Sequence, residues 1–179
     1  MNKSSLARKF ARSYIDTLDE GADLDSIYNE LTAIAELFKG SDEVQKFFLN
    51  PGIPLERKEN ALNEITEKAG ISDITKAFLI VLLKKRALGI LNEIAEQFLS
   101  FVDLAKNRTR AEVIVAEALD ENEKNFLSSK LSEITGKEVI VKVSEDPSII
   151  GGAITKIGSL VVDGSIKTQL KIAEEKLLS

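Results

Sequence analysis

Residues 88–116 read LGILNEIAEQFLSFVDLAKNRTRAEVIVA, and the fold turns on a change of period inside them. As far as Asn107 the apolar residues recur at helical spacing, on Leu91, Ile94, Phe98, Phe101 and Ala105. From Arg110 to Ala116 the run is β-branched and alternating, with Val113 and Val115 one residue apart, which is the pattern of a strand. Helix gives way to strand near Lys106–Thr109 with no long linker, so two small domains meet there: residues 1–107, all helical, and residues 108–179, mixed.

Working back from this point, the first domain is punctuated by Gly21, Gly40, Gly52 and Gly70, each closing a helical segment. The first helix carries Leu6, Phe10, Tyr14 and Leu18 as an i, i+4 stripe, with Ser4 or Ser5 able to cap it. A second runs from an Asp23 cap through Leu24, Ile27, Leu31, Ile34 and Phe38, and a short third from Ser41 holds Val44, Phe47 and Phe48. Two prolines in Asn50-Pro51-Gly52-Ile53-Pro54 force a turn. A fourth helix follows with Leu55, Leu62 and Ile65; a fifth starts at Ser72 or Asp73; the sixth is the one quoted above, from about Leu88.

Working forward, Asp120 and Glu123 form a capping-box-like start for a helix bearing Phe126, Leu127, Leu131 and Ile134, which Gly136 ends. Val139, Val141 and Val143 alternate in a second strand, and Ala153–Ile157 and Leu160–Val162 form a hairpin across Gly158-Ser159. Asp163-Gly164-Ser165 turns into a last helix from Ile166 to about Leu178. The expected fold class is α+β: an N-terminal six-helix bundle followed by a small α+β domain with about four strands and two helices.

Composition narrows the chemistry. The 179 residues include no His, Cys or Trp, which excludes a Ser-His-Asp triad, thiol nucleophiles, disulfides and imidazole or thiolate metal sites. Net charge is -5, with 15 basic and 17 acidic residues up to and including Arg108 and 9 and 12 beyond it, so neither half offers the basic face that nucleic acid or an anionic bilayer needs. The longest apolar run, Phe78–Leu83, is far short of the about 20 residues of a membrane-spanning helix. The N-terminus has no signal-peptide core, and a soluble cytosolic chain is expected.

The motif-like segments have plain structural readings. Gly151–Gly158 lacks the order of a phosphate loop, because its lysine precedes the last glycine and the stretch leads into a hairpin; glycines there serve positive φ or close strand approach. Asp163 reads as a turn or cap residue rather than a base, Asn107-Arg108-Thr109 as a chance sequon, and Lys84-Lys85-Arg86 as a solvated helix end. Catalytic, cofactor and metal residues are expected to be absent.

Two features exceed these readings. Phe78–Leu83 is apolar all round, so the fifth helix is either central to the bundle or covered on its outer side by something else. In the first helix Phe10 and Tyr14 lie beside the small residues Ala7, Ala11 and Ser13, which permit close helix approach. Such a pair of helices would make a groove for a partner's amphipathic helix.

The tail of the chain, Asp146 to Gly158 followed by Val161-Val162-Asp163-Gly164-Ser165-Ile166-Lys167-Thr168-Gln169-Leu170, resembles the C-terminal signature of the ATP synthase delta subunit, the family of the mitochondrial oligomycin-sensitivity-conferring protein. Ala7-Arg8-Lys9-Phe10-Ala11-Arg12 resembles the family's opening, departing from it at Lys9 and Phe10, and Thr155 replaces a common aliphatic. The resemblance spans nearly the whole chain. It implies a noncatalytic peripheral-stalk (stator) subunit of the proton-translocating rotary ATP synthase, without cofactors, that joins the catalytic hexamer to the stalk.

It further implies that residues 1–107 bind the N-terminal segment of an alpha subunit between the first and fifth helices, and that residues 108–179 hold the C-terminal helices of the b subunits. By position, Phe10, Ser13 and Val81 match groove residues; helical spacing adds Tyr14, Phe78 and Leu82. Gly152, Gly158, Asp163, Gly164 and Ser165 carry the family signature as structural residues. The implied location is the cytoplasmic face of a bacterial inner membrane, peripheral through the complex. The other classes considered are a small enzyme with a carboxylate cleft between the domains and an RNA-binding helical module.

Overall fold

A computed structural model describes residues 3–158 and 160–177 and divides the chain into two compact units, Met1–Val102 and Asp103–Ser179. The first unit contains α1 (Lys3–Ile15), α2 (Leu24–Gly40), α3 (Asp42–Leu49), α4 (Leu55–Lys68), α5 (Asp73–Lys84), a 3-10 turn (Leu88–Ile90) and most of α6 (Leu91–Ala105). The second contains β1 (Arg108–Val115), α7 (Glu121–Thr135), β2 (Glu138–Glu145), β3 (Ala153–Ile157), β4 (Leu160–Asp163) and α8 (Ile166–Leu177). The chain is α+β. Ser159 and Leu178, in the expected hairpin turn and at the expected end of the last helix, lie outside the described residues.

The helix ends follow local chemistry. Asp23 accepts from the backbone N–H groups of Asp25 and Ser26, and Ser41 from that of Val44, satisfying donors that the first turns of α2 and α3 leave open. At the end of α4, Gly70 adopts φ +67° while the Ile71 N–H reaches back to the Thr66 carbonyl at 2.9 Å, a left-handed closure that suits glycine. α1 stops at Ile15 rather than Leu18, its chain running on through single-turn hydrogen bonds from Thr17 and Leu18.

Each unit has its own core. In the first, Ala7, Ala11 and Tyr14 of α1 meet Leu31 and Ile34 of α2, Leu62 of α4, Leu79 and Leu82 of α5, and Ile94, Phe98 and Val102 of α6. The two alanines are fully buried, so α1 approaches its neighbours closely, as small residues allow. The last residues of α6 belong with the second unit, where Asp103 accepts from Arg108 at 2.8 Å and Arg110 at 2.7 Å. That carboxylate ties the helix end to β1, in keeping with a division of the compact units at Val102 and Asp103.

The sheet order is β2-β1-β3-β4. β1 and β2 pair in parallel, Val113 beside Val143, with α7 as the crossover. β3 lies antiparallel on the other side of β1, Val113 facing Thr155, and β4 antiparallel beyond it. Ala111, Val113, Val115 and Val139 form the buried face under Leu127 and Leu131 of α7. Of the apolar residues expected to anchor α7, Phe126 and Ile134 are instead exposed.

Asp120 and Glu123 close a full capping box, with the Glu123 N–H donating to Asp120 at 2.7 Å and the Asp120 N–H to the Glu123 carboxylate at 2.9 Å. Asp120→Ala is expected to destabilise the second unit by about 1 kcal/mol. Urea melts followed by amide exchange in α7 measure it; an unchanged midpoint would show that the box adds nothing to water's own capping.

Candidate partner-binding surface

α1 and α5 touch through aromatic stacking and one hydrogen bond. The Tyr14 ring lies over Phe78 with centroids 4.0 Å apart and planes 3° from parallel, and meets Phe98 of α6 at 5.4 Å. Its hydroxyl is 2.9 Å from the Thr75 hydroxyl. Thr75 in turn donates to the Glu30 carboxylate of α2, which also accepts from Ser72 at 2.6 Å. Burial pushes the Tyr14 phenol above its ordinary pKa; the Thr75 bond lowers it in part, and the charge of Glu30 adds to the rise.

The six residues expected at the surface between these helices divide into two groups. Tyr14 (2% exposed), Phe78 and Leu82 are core residues. In the chain alone these three side chains face inward, because an i, i+4 stripe through Phe10 and Tyr14 mixes a half-buried residue with one inside. Phe10 is half-buried, Ser13 is exposed and Val81 is 47% exposed. Ile74 (40%) and Ala77 share the outer side of α5 with Val81 at spacings of three and four residues. Sequence reasoning missed them because it centred on the continuous run from Phe78; the spacing itself was available.

α5 is therefore neither wholly central nor wholly amphipathic. Phe78, Leu79, Leu82 and Leu83 are buried and Ile80 half-buried, which leaves Val81 as the one residue of the run turned to solvent. On α6, Phe101 lies under the Arg8 and Arg12 guanidinium groups of α1 at 5.9 and 5.6 Å, a pair of cation–π contacts.

The signature residues of the second unit form a corner where the start of β3 meets the start of α8. Asp163 accepts from the Ser165 N–H at 2.9 Å and from the Thr168 hydroxyl at 2.7 Å, and Ser165 accepts from the Thr168 N–H. The Ser165 N–H first, then the Thr168 hydroxyl, hold the Asp163 carboxyl below its ordinary pKa. Each of its two oxygens accepts one bond from the helix start. The Gly164 N–H bonds the Ala153 carbonyl at 2.9 Å and the Ile166 N–H the Gly151 carbonyl at 3.0 Å. Gly152 has φ +82°, and a Cβ there would stand 2.4 Å from the Gly164 carbonyl oxygen; Gly158 has φ +58° without such crowding. Positive φ at both glycines and close backbone approach at Gly152 are what their sequence context suggests.

Around the corner, Leu160, Val161 and Val162 of β4 and Ile166, Leu170 and Ile172 of α8 are exposed. Among the described residues no helix is long and apolar enough to cross a membrane, and no cluster of His, Cys, Asp and Glu could hold a metal ion.

Comparison with known proteins agrees in sequence and in fold. The family model of the ATP synthase delta (OSCP) subunit matches residues 6–177. The chain is 34% identical to ATP synthase subunit delta of Desulfatibacillum aliphaticivorans over 177 residues, covering 99% of this chain and 97% of that one. It is 36% identical to the Desulfotalea psychrophila protein of the same name, covering 99% and 98%. A chain in the cryo-EM structure of the Toxoplasma gondii mitochondrial ATP synthase hexamer shares the fold with a TM-score of 0.66 at 18% identity, covering 97% of this chain and 98% of that one. On a match that runs through both units, the chain belongs to the ATP synthase delta (OSCP) subunit family.

Proposed function

We propose that the protein is a noncatalytic stator subunit of a proton-translocating rotary ATP synthase, part of the peripheral stalk at the cytoplasmic face of a bacterial inner membrane. Its N-terminal domain, residues 1–107, is a six-helix bundle that receives the amphipathic N-terminal segment of an alpha subunit between α1 and α5. Its C-terminal domain, residues 108–179, holds the C-terminal helices of the b subunits on the apolar surface of β4 and α8.

Membership of the family along residues 6–177 carries the reading. The geometry supports it: Ile74 and Val81 present apolar surface on α5 beside a floor of stacked aromatic rings, which suits an amphipathic helix laid across it. Burying that surface contributes roughly 25 cal/mol per Å2 of apolar area, less the cost of ordering the segment. The work asked of the subunit is mechanical, because a loose stator would let the hexamer turn with the central shaft and leave ATP unmade.

Affinity purification of the tagged full chain from its own cells is expected to bring down the alpha and b subunits together. Recovery of neither, from cells whose ATP synthase is assembled, would overturn the assignment; loss of b alone would remove only the role given to β4 and α8.

A further inference from the structure

Ser72 occupies the N-cap position of α5, where a serine ordinarily bonds a backbone N–H of the first turn, yet its side chain makes no capping bond. Its hydroxyl lies 2.6 Å from the Glu30 carboxylate on α2 instead. A local rule is given up in favour of a contact between helices, and such sites mark positions where tertiary arrangement matters more than the helix end.

Counting protons fixes the direction of the network. Thr75 has one hydroxyl hydrogen and three neighbours: Tyr14 at 2.9 Å, Ser72 at 3.0 Å and the Glu30 carboxylate. Both Ser72 and Thr75 give their hydrogens to the Glu30 carboxylate. With its one hydrogen on Glu30, the Thr75 oxygen is then the acceptor for the Tyr14 hydroxyl. Tyr14 and Thr75 are both buried, so water is not at hand to replace a missing partner. Remove Glu30 and the Thr75 hydrogen must find another acceptor, the Tyr14 oxygen at 2.9 Å or the Ser72 oxygen at 3.0 Å; on Tyr14 it competes with the bond that pins α1 to α5.

We propose that Glu30 is a positioning residue for partner binding: through Thr75 it orients the hydrogen bond from Tyr14, sets the spacing of α1 against α5, and so sets the affinity of the surface around Val81 without touching the partner. The proposal rests on the reading of α1 and α5 as the alpha-binding surface. The pin is well placed for this role. Thr75 lies beside Ile74 in sequence and one turn before Phe78, on which Tyr14 stacks, and Val81 lies one turn further on.

The test uses the full chain, with Glu30→Met to remove the acceptor and Glu30→Gln to keep a neutral one. Amide hydrogen exchange of α1 is measured on the free protein, and the dissociation constant of a synthetic peptide of the alpha subunit's N-terminal segment is measured beside the melting temperature. Glu30→Met is expected to speed exchange at the C-terminal end of α1 and to weaken peptide binding about tenfold, and Glu30→Gln to recover all but about threefold, since charge-assisted bonds are roughly twice as strong as neutral ones. Tyr14→Phe combined with Glu30→Met is expected to be no worse for binding than the more damaging single change, the non-additivity of residues acting in one chain.

A Glu30→Met chain that melts lower but binds the peptide as wild type does would overturn the proposal, leaving Glu30 a purely structural residue. Unchanged exchange in α1 would overturn it as well. Wild-type protein that fails to bind the peptide would sink the reading of the surface, and with it the claim that Glu30 sets affinity, while altered α1 exchange in Glu30→Met would still record the relay and so separate the two failures.

Discussion

Val81→Asp is expected to abolish binding of the alpha subunit's N-terminal peptide while leaving the helical circular dichroism of the chain unchanged. The two halves of this result have separate causes. Val81 is 47% exposed, so in the free protein the new carboxylate is solvated and the fold loses little. An acid near the C-terminus of a helix opposes the macrodipole by a few tenths of a kcal/mol, and Lys84 and Lys85, three and four residues on, offset part of that.

In the complex the same carboxylate would be covered by an apolar helix face, and an unpaired buried charge costs several kcal/mol. At about 1.4 kcal/mol for each tenfold in affinity, a loss of roughly a thousandfold is the expected scale. Isothermal titration with the synthetic peptide reads it directly. Affinity equal to wild type would remove the exposed side of α5 from the interface. The neighbouring change Leu82→Asp is no test of binding, because Leu82 is fully buried and its replacement would damage the core itself.

Gly152→Ala is expected to unfold the corner between β3 and α8 and destabilise the second unit by about 3 kcal/mol, without affecting the first. A positive φ costs an L-residue about 1–2 kcal/mol on its own. Here the added Cβ would also stand 2.4 Å from the Gly164 carbonyl oxygen and 3.1 Å from the Ser165 Cα, and both are backbone atoms that cannot swing aside. Relief requires the Asp163–Ser165 turn to move away, at the expense of the hydrogen bonds from Gly164 to Ala153 and from Ile166 to Gly151.

Gly158→Ala is the natural control. Its φ is +58° but its Cβ would meet nothing within 4 Å among the described residues, so only the conformational cost of about 1 kcal/mol applies. Hydrogen exchange resolved by segment distinguishes the two changes: equal protection of β3 and β4 in both variants would mean that crowding at Gly152 is absorbed by small shifts.

Much of this protein was legible from its residues. Asp120 with Glu123, Asp23 and Ser41 announced helix starts that the structure contains, because a cap is a contact between residues two or three apart and needs no knowledge of the fold. Alternation in Val139, Val141 and Val143 likewise marked a strand with one buried side. What alternation could not give was the partner. Parallel pairing of β1 with β2, and the insertion of β1 between β2 and β3, depend on residues up to tens of positions apart whose β-branched side chains would suit several registers.

The surface between α1 and α5 was half legible. Helical spacing placed Phe10 and Tyr14 on one helix and Phe78 and Leu82 on another, yet it could not say which apolar positions face inward, since residues 78–83 are apolar all round and a one-dimensional pattern has no inside. Ser72 shows the same limit from the other direction: by itself it is an ordinary cap, and only the approach of α2 gives its hydroxyl to Glu30.

The sequence by itself determined the succession of helices and strands, the family, and the exclusion of histidine and cysteine chemistry, because each of these depends on residue identity or on neighbours within a turn or two. The tertiary structure alone decided that Tyr14 is buried with its hydroxyl against Thr75, that Val81 and Ile74 are exposed on α5, and that Glu30 accepts from Ser72 and Thr75. The physical reason is that burial and hydrogen-bond direction are properties of three helices meeting, and α1, α2 and α5 meet around a single threonine hydroxyl that has one proton to give.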